Sequence, residues 1–156
     1  MTTLNPIIII PYLFEQEIQQ LKAALGWKLE YEFWQDTGQI GSDMAYQYLW
    51  NKHKDRDVII LHADMLPLQE DTENKWYTEL INTVVKYPEA DIFGMKLLYP
   101  QKTEEDKYII QHAGGRFSKN GEAVHFGGGL NLYDGKANQE LEVDEGQYDK
   151  VREVAW

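Results

Sequence analysis

The chain contains no cysteine among its 156 residues, which excludes disulfide bonds and thiolate metal sites. Basic residues are also scarce: 15 lysines and arginines stand against 26 aspartates and glutamates, which gives a net charge of −11. Nucleic acid and anionic membrane surfaces are therefore unfavourable partners. The apolar run at residues 7–10 (IIII) is too short for a signal peptide or a transmembrane segment. These absences indicate a cytoplasmic chain, soluble or at most peripheral to a membrane.

The residues that are present predict a packed α/β domain, because 43% are hydrophobic and 13% are aromatic. The continuous β-branched run at residues 7–10 is typical of a strand that is buried on both faces, as in a parallel sheet. Ile18, Leu21 and Leu25 follow at helical spacing, before a glycine that can end the helix. The chain therefore begins with a strand and then a helix.

Further periodic segments continue this alternation. Strands are predicted over residues 28–33, 57–61 and 91–98, and helices over 42–52 and from Trp76 to about Tyr87. Ser42 is the expected N-cap of the second helix, and its expected inner face carries Met44, Ala45, Tyr48 and Leu49. The order β-α-β-α-β-α-β predicts a doubly wound sheet.

The C-terminal third carries a different pattern. A short strand is predicted over residues 108–111, and Asn120-Gly121 between two short runs predicts a β-hairpin. The glycine-rich and acidic stretch at residues 127–147 predicts a mobile loop, and residues 152–156 predict the start of one more strand. No internal repeat is visible, and 156 residues are enough for one compact domain, so a single domain is expected.

Two polar residues follow the predicted strand over residues 57–61, at the edge where α/β sheets collect ligands. Asp64 can hold a hard divalent cation there, although aspartate also commonly caps a following turn. His62 can add an imidazole ligand, which suits Mn²⁺ better than Mg²⁺, or it can pack beside the strand end. Both interpretations stay open for each residue.

Several segments occur in an order and spacing that are similar to a known family. They are residues 7–12 (IIIIPY), Asp36, residues 41–47 (GSDMAYQ), residues 61–67 (LHADMLP), residues 91–100 (DIFGMKLLYP) with 110–117 (IQHAGGRF), and Tyr148, Asp149 and residues 152–154 (REV). With these segments the chain resembles family 2 glycosyltransferases of the GT-A fold, in particular the bacterial rhamnosyltransferase and O-antigen branch. The resemblance extends over nearly the whole chain.

The resemblance implies an α/β fold of the GT-A type, a Rossmann-like three-layer sandwich with a mostly parallel central sheet and a small β-hairpin. It implies a single domain over residues 1–156, with a donor-binding half at 1–100 and the hairpin and mobile loop at 101–150. The implied activity is a metal-dependent, inverting transfer of a sugar from a nucleoside-diphosphate donor, of the UDP or dTDP type, to a hydroxyl of a glycan or glycoprotein acceptor.

The resemblance also implies roles for individual residues. Asp64, with His62 as a possible second ligand, would hold Mn²⁺ or Mg²⁺. The donor-binding residues it implies are Pro11, Tyr12, Leu13, Asp36, Gly41, Ala63, Asp64 and His112. Asp36 would accept hydrogen bonds from the base or ribose, unless it is simply a turn aspartate. His112 would approach the donor beside flexible glycines, unless it is a structural residue next to a bulge.

The sequence departs from the family pattern at two places. The family usually carries Asp-x-Asp at the metal site, whereas this chain has a histidine, His62, at the first position and retains Asp64 at the last. Family members also continue beyond the position of Trp156 into a segment with the general base. The base and the acceptor half are therefore expected beyond Trp156, with Asp149 and Glu153 as fallback candidates for the base.

Two other classes of function compete with the transferase. The chain can be a non-catalytic nucleotide-sugar-binding module, or a donor-binding half that needs a further segment or partner. It can also be a structural or interaction domain without a small ligand. Turnover of a donor would support the transferase. Binding of a donor without turnover would support the binding module, and a lack of any metal-dependent nucleotide binding would support the structural domain.

Overall fold

The computed structural model of the chain describes residues 4, 6–25, 29–68, 74–117, 119, 123–126 and 142–150. The chain forms two compact units, Met1–Val85 and Lys86–Trp156. The elements are β1 (Ile7–Tyr12), α1 (Glu15–Leu25), β2 (Tyr31–Gln35), α2 (Ser42–Lys52), β3 (Val58–Ile60), α3 (Lys75–Lys86), β4 (Leu97–Lys102), β5 (Tyr108–His112), β6 (Gly115–Phe117) and β7 (Ala123–His125). A single GT-A-like domain over residues 1–156 stays a prediction.

The first unit is built on a parallel three-stranded sheet with the order β2-β1-β3. Ile9 pairs with Glu32 of β2 on one side and with Ile60 of β3 on the other. Because β1 is central and helices cover the sheet, Ile8 and Ile10 are fully buried, and each such side chain stabilises the fold by about 1.5–3 kcal/mol. The prediction of a buried parallel strand at residues 7–10 is confirmed.

Helix α1 covers one face of this sheet. Its residues Ile18, Leu21 and Leu25 are fully buried and form a cluster with Ile8 and Ile10. The helix begins where the Glu17 carboxylate accepts hydrogen bonds from the main-chain N–H groups of Leu13 and Phe14, both at 3.1 Å. A glutamate at the third helical position commonly reaches back in this way to an N–H that has no partner in the helix.

Helix α2 covers the opposite face. Its residue Leu49 packs with Ile7 and Ile9, which alternate along β1 with the isoleucines that α1 covers. Successive residues of a strand point to opposite faces of the sheet, so α1 and α2 enclose β1 from two sides. Trp76 and Tyr77 of α3 join the cluster on the α1 side. The first unit is therefore a helix–sheet–helix arrangement, as expected for an α/β fold.

The second unit contains antiparallel strands. β4 pairs with β5, with register shifts on either side of Leu98, and β6 pairs with β7. Val143 forms an antiparallel bridge with Ile109 of β5, so the segment that contains Val143 extends this pairing. The predicted strand over residues 108–111 is confirmed by β5, and the pairing of β6 with β7 confirms the predicted hairpin, whose Asn120-Gly121 turn lies outside the described residues. Nowhere in the described part of the chain is a helix long and apolar enough to cross a bilayer.

The predicted strand over residues 91–98 is largely wrong. Residues 91–96 form no regular structure, and β4 begins only at Leu97. The segment shows no alternation, contains Gly94, and leaves Ile92 87% exposed, so no described strand pairs with it or buries it. The parallel sheet of the described residues therefore has three strands rather than the four that the sequence predicts.

Two local predictions also need correction. β2 starts at Tyr31, which pairs with Ile8 of β1, so the predicted strand begins too early, and its first residue, Lys28, lies outside the described residues. Ser42 is the first residue of α2 rather than its N-cap, which is Gly41, and no side chain caps the helix there. Residues 127–141, most of the predicted mobile loop, and residues 152–156, the predicted last strand, lie outside the described residues.

Candidate functional site

The carboxyl ends of the three parallel strands meet at one edge of the first unit. β1 ends at Tyr12, which pairs with Gln35, the last residue of β2. β3 ends at Ile60 and leads directly to Leu61, His62, Ala63 and Asp64. Open α/β sheets bind ligands at this edge. The structure therefore brings the candidates at residues 11–13, 36, 41 and 62–64 to the carboxyl edge of a single sheet.

Asp64 lies exposed in the turn after β3. Within the described part of the chain, its carboxylate takes part in no hydrogen bond or ion pair. The turn is closed instead by the main chain, since the N–H of Met65 donates to the carbonyl of His62 at 3.1 Å. The alternative in which Asp64 caps this turn through its side chain does not match this geometry. The carboxylate is thus available to a ligand from solvent.

Tyr46 of α2 lies against the segment that leads to Asp64. Its hydroxyl donates a hydrogen bond to the carbonyl of Leu61 at 3.3 Å, and its ring centre lies 5.3 Å from that of His62. Burial and the negative charge of Asp64 raise the pKa of Tyr46 to about 12. The phenol therefore stays protonated at neutral pH and holds α2 to the end of β3. The ring contact also shows that His62 packs beside the strand end, while its side chain remains exposed.

Sequence reasoning did not single out Tyr46. It placed Met44 and Tyr48 on the inner face of α2, yet both are about half exposed, whereas Ala45 and Leu49 are buried as predicted. A signal was present in the spacing, because Tyr46 precedes Leu49 by three residues and so shares its side of the helix. The face of α2 that packs on the sheet therefore includes Tyr46 together with Ala45 and Leu49, rather than Met44 and Tyr48.

Asp36 is buried behind the same edge, with only 7% of its surface exposed. Its two carboxylate oxygens accept hydrogen bonds from the main-chain N–H groups of Ile40 at 3.0 Å and Gly41 at 3.1 Å. Its own N–H donates to the carbonyl of Tyr12 at 2.8 Å, which joins the ends of β1 and β2. In this geometry Asp36 is a turn aspartate that stabilises the loop before α2. Its role in donor binding stays a prediction.

The loop that Asp36 organises requires a glycine at its end. Gly41 has a φ of +90°, a conformation that side-chain-bearing residues rarely adopt, and space is open where a Cβ would lie. Its carbonyl accepts the first helical hydrogen bond, from the N–H of Ala45 at 2.9 Å. Gly41 thus places the start of α2 at the carboxyl edge of the sheet.

The predicted donor-binding residues Pro11, Tyr12 and Leu13 all make contacts within the first unit. Pro11 pairs with Trp34 of β2. The carbonyl of Leu13 accepts a hydrogen bond from the side chain of Gln35 at 3.3 Å. The Tyr12 ring is half-buried, packs against the cluster on the α1 side, and has the Lys22 ammonium 5.8 Å from its centre. The Tyr12 ring therefore already has a lysine of the same chain near its face.

The other candidates occupy different places. Ala63 packs against the cluster on the α1 side. His112 is the last residue of β5 in the second unit, paired with Leu97. Asp149, also in the second unit, accepts a hydrogen bond from the Lys96 ammonium at 2.6 Å, so this fallback base is held in an ion pair. Glu153 lies outside the described residues.

A metal site at Asp64 would need ligands from outside the protein. Among the described residues, no group of three or more histidine, aspartate or glutamate side chains is arranged to hold a metal ion. Mg²⁺ is often bound by one or two carboxylates together with the phosphates of a substrate. Asp64, with His62 two residues earlier, fits such a site only when a ligand's phosphates complete the coordination.

An open groove of about 630 Å³ adjoins this edge of the first unit. It lies between α2 and the end of β3, and residues of both line it, among them Met44, Tyr46, Trp50, Ile60 and His62. We refer to it as the α2 groove. Because Tyr46 and His62 line it, the groove reaches the part of the sheet edge that carries Asp64.

No family model, curated protein or solved structure matches this chain. The likeness to family 2 glycosyltransferases and to the GT-A fold therefore rests on the sequence segments alone and stays a prediction. The structure establishes the coarser statement, a mixed α/β chain with a parallel three-stranded sheet in the first unit and a small antiparallel hairpin in the second.

Proposed function

We propose that this chain is a metal-dependent, inverting glycosyltransferase. It moves a sugar from a nucleoside-diphosphate donor, of the UDP or dTDP type, to a hydroxyl of a glycan acceptor. The observation that carries the proposal is the position of the Asp64 carboxylate at the carboxyl edge of the parallel sheet in a β-α-β-α-β unit. This carboxylate is exposed and has no partner in the described chain. The resemblance of the surrounding segments to family 2 enzymes supports the same assignment.

The chemistry at this edge follows from the charges involved. When the sugar leaves, the diphosphate gains negative charge, and a bound Mg²⁺ or Mn²⁺ would stabilise that charge as a Lewis acid. With a net charge of −11, the chain repels a diphosphate unless a cation screens it. Asp64, with His62 nearby, is the residue that would hold the cation. A carboxylate that is exposed and unpaired can do so without breaking an internal contact.

The neighbouring residues would keep this edge in shape. Tyr46 fixes the segment before Asp64 through its hydrogen bond to Leu61. Asp36 fixes the loop that leads to Gly41 through its two main-chain hydrogen bonds. Rigid support of this kind keeps a binding group in a productive geometry. In this proposal Tyr46 and Asp36 therefore position the site, and neither reacts.

A second candidate function is a nucleotide-sugar-binding module without catalysis. It is favoured by one observation within the described residues: Asp149, a fallback candidate for the general base, is already engaged by Lys96 at 2.6 Å. The module and the transferase share the donor site at Asp64. They differ only in whether the bound donor is turned over.

The test is a thermal-shift panel of UDP, dTDP, GDP and their sugars, with and without Mn²⁺, followed by an assay for nucleoside-diphosphate release. The proposal predicts a rise in Tm of several degrees that needs both nucleotide and Mn²⁺, at ligand concentrations about 100-fold above Kd. Asp64→Ala abolishes it, while Asp55→Ala, which removes another exposed carboxylate of the same unit, keeps it.

The outcomes separate the candidates. Release of nucleoside diphosphate that depends on Asp64 supports the transferase. A Mn²⁺-dependent shift without release supports the binding module. An absence of any metal-dependent shift across the panel, with the wild-type chain folded, rejects both.

A further inference from the structure

The α2 groove has a defined course along the first unit. Ser42, Gln47 and Asn51 line it, so it follows α2 for about 14 Å at the 1.5 Å rise of a helical residue. Its other wall is Ile60 and His62 at the end of β3, which is an edge strand of the sheet that the described residues form. The groove is therefore bounded by one helix and one sheet edge.

One end of the groove lies at the carboxyl edge of the sheet. Ser42 begins α2 directly after the loop that follows β2, and that loop leaves β2 at its carboxyl end. His62, at the same edge, lies two residues before Asp64. A ligand that fills the groove would thus bring one of its ends to the proposed donor site.

The lining combines two kinds of surface. Met44, Trp50 and Ile60 are apolar and about half exposed, at 55%, 56% and 43% of their surface. Gln47 and Asn51, one helical turn apart on the same side of α2, present neutral amides between these apolar groups. Large apolar side chains that remain accessible beside hydrogen-bonding groups are typical of ligand sites.

The charges of the lining restrict its ligand. Among the described residues that line the groove, the only ionisable groups besides His62 are the Asp43 carboxylate and the Tyr46 phenol, and none is a lysine or arginine. An anionic ligand would therefore lack a counter-charge. A purely apolar partner would leave the amides of Gln47 and Asn51 without hydrogen-bond partners, which is unfavourable.

A neutral saccharide satisfies both parts of the lining. Its C–H faces can pack on the Trp50 ring, and its hydroxyls, which both donate and accept, can pair with Gln47, Asn51 and the Asp43 carboxylate. We propose that the α2 groove binds a neutral saccharide and that this saccharide is the acceptor of the transfer. The assignment as acceptor rests on the proposed function, whereas the saccharide site itself does not.

The test is ¹H–¹⁵N NMR titration with methyl glycosides of glucose, galactose, mannose and rhamnose, and with maltose and lactose. The expected result is a shift of the Trp50 indole signal with at least one of these sugars. Trp50→Ala weakens binding by about tenfold or more, Trp50→Phe retains most of it, and Gln47→Ala weakens it less. Tyr48→Ala, an aromatic change on the same helix outside the groove, and Gln19→Ala on α1 leave it unchanged. Thermal unfolding of each variant shows that it is folded.

The outcomes separate this inference from the proposed function. If no sugar shifts the Trp50 signal while a nucleotide with Mn²⁺ raises Tm, the groove assignment is overturned and the donor site stands. If sugars bind through Trp50 while no nucleotide binds, the saccharide site stands and its role as acceptor site is overturned. If sugars fail to bind and Trp50→Ala converts a dimer to a monomer, the groove is a contact between copies, which also overturns the inference.

Discussion

The Tyr46 hydroxyl donates a hydrogen bond to the main-chain carbonyl of Leu61 at 3.3 Å. This contact joins α2 to the end of β3 at the point where the chain turns toward Asp64. The same hydroxyl lies within the field of the Asp64 charge, which contributes to its raised pKa. The Tyr46 phenol therefore links the stability of this sheet edge to the charge of Asp64.

Replacing Tyr46 with phenylalanine should test the energetic side of this coupling. Tyr46→Phe leaves the Leu61 carbonyl without this donor and should lower the free energy of unfolding by about 1 kcal/mol. Urea denaturation at neutral pH measures the difference. Tyr48→Phe removes a hydroxyl from a half-exposed residue of the same helix and should have little effect. Equal losses in the two variants would contradict the role of this hydrogen bond.

Alkaline pH provides a second test of Tyr46. In the unfolded chain the phenol titrates near its ordinary pKa of 10.0, and in the folded chain at about 12. The unfolded state thus loses its proton first, so the contribution of Tyr46 is fully present below pH 10 and is lost as pH rises toward 12. Between these values, urea titrations should show a steeper loss of stability in the wild type than in Tyr46→Phe. Parallel curves would count against the raised pKa.

Asp36 should be among the more sensitive positions of the first unit. Asp36→Ala leaves the N–H groups of Ile40 and Gly41 without their acceptors and should cost about 1–3 kcal/mol of stability. Asp36→Asn keeps one oxygen acceptor and should cost less. Hydrogen exchange should accelerate at the Ile40 and Gly41 amides in both variants. Asp55→Asn, at an exposed position, is the control. Protection of the Gly41 amide from hydrogen exchange that persists in Asp36→Ala would refute this account.

The elements that the sequence predicted well are those with a local physical cause. The run at residues 7–10 is β-branched throughout, which favours a strand that is covered on both faces, and all four residues are buried. Ile18, Leu21 and Leu25 repeat at helical spacing and are all buried. Asn-Gly predicts its own turn, and β6 and β7 pair around it. None of these signals depends on residues far away in the chain.

The features that were predicted wrongly, or left undecided, depend on distant partners. A segment becomes a strand only beside another strand, and residues 91–96 have none among the described residues. Asp36 and Asp64 both follow predicted strands, yet the first is buried among main-chain amides and the second is exposed. The sequence thus indicated the edge of the sheet correctly. It could not tell which carboxylate is free, because that depends on how each loop folds back.

Because the Asp64 carboxylate has no partner in the described chain, its removal should barely affect folding. Asp64→Asn should change the free energy of unfolding by less than about 0.5 kcal/mol, as is usual for surface positions. It should also lower the pKa of Tyr46 from about 12, leaving burial as the cause that still raises it. Titration of the Tyr46 ring signals by NMR measures this pKa. An unchanged pKa would contradict the proximity of the two side chains.

Acid pH should weaken the first unit through Glu32. Burial alone would raise the pKa of Glu32, but hydrogen bonds from Lys52 at 2.6 Å and His53 at 2.7 Å outweigh it and hold the pKa below the ordinary 4.5. A lowered folded pKa means that this stabilisation is present above pH 4.5 and is lost as pH falls through the folded value. Glu32→Gln should cost about 1 kcal/mol at neutral pH and flatten this acid dependence in urea titrations.

The matched control for Glu32 is Glu79→Gln. Glu79 pairs with Lys75 at 3.5 Å, and both side chains are largely exposed, so the loss should be close to zero. An acid dependence that is as steep in Glu32→Gln as in the wild type would show that other carboxylates cause it.

The second unit should depend on Lys96. Burial acts to lower the pKa of Lys96, but hydrogen bonds to Asp144, at 2.7 and 2.9 Å, and to Asp149, at 2.6 Å, outweigh it and raise the pKa. Lys96→Met leaves the half-buried Asp144 carboxylate without its cation and should cost about 2 kcal/mol. Hydrogen exchange should accelerate at Asp144 and Asp149, whose N–H groups donate to Tyr108 and Gly146. Lys107→Met, which breaks only exposed pairs, should leave those amides protected, and equal deprotection in both variants would refute the role of Lys96.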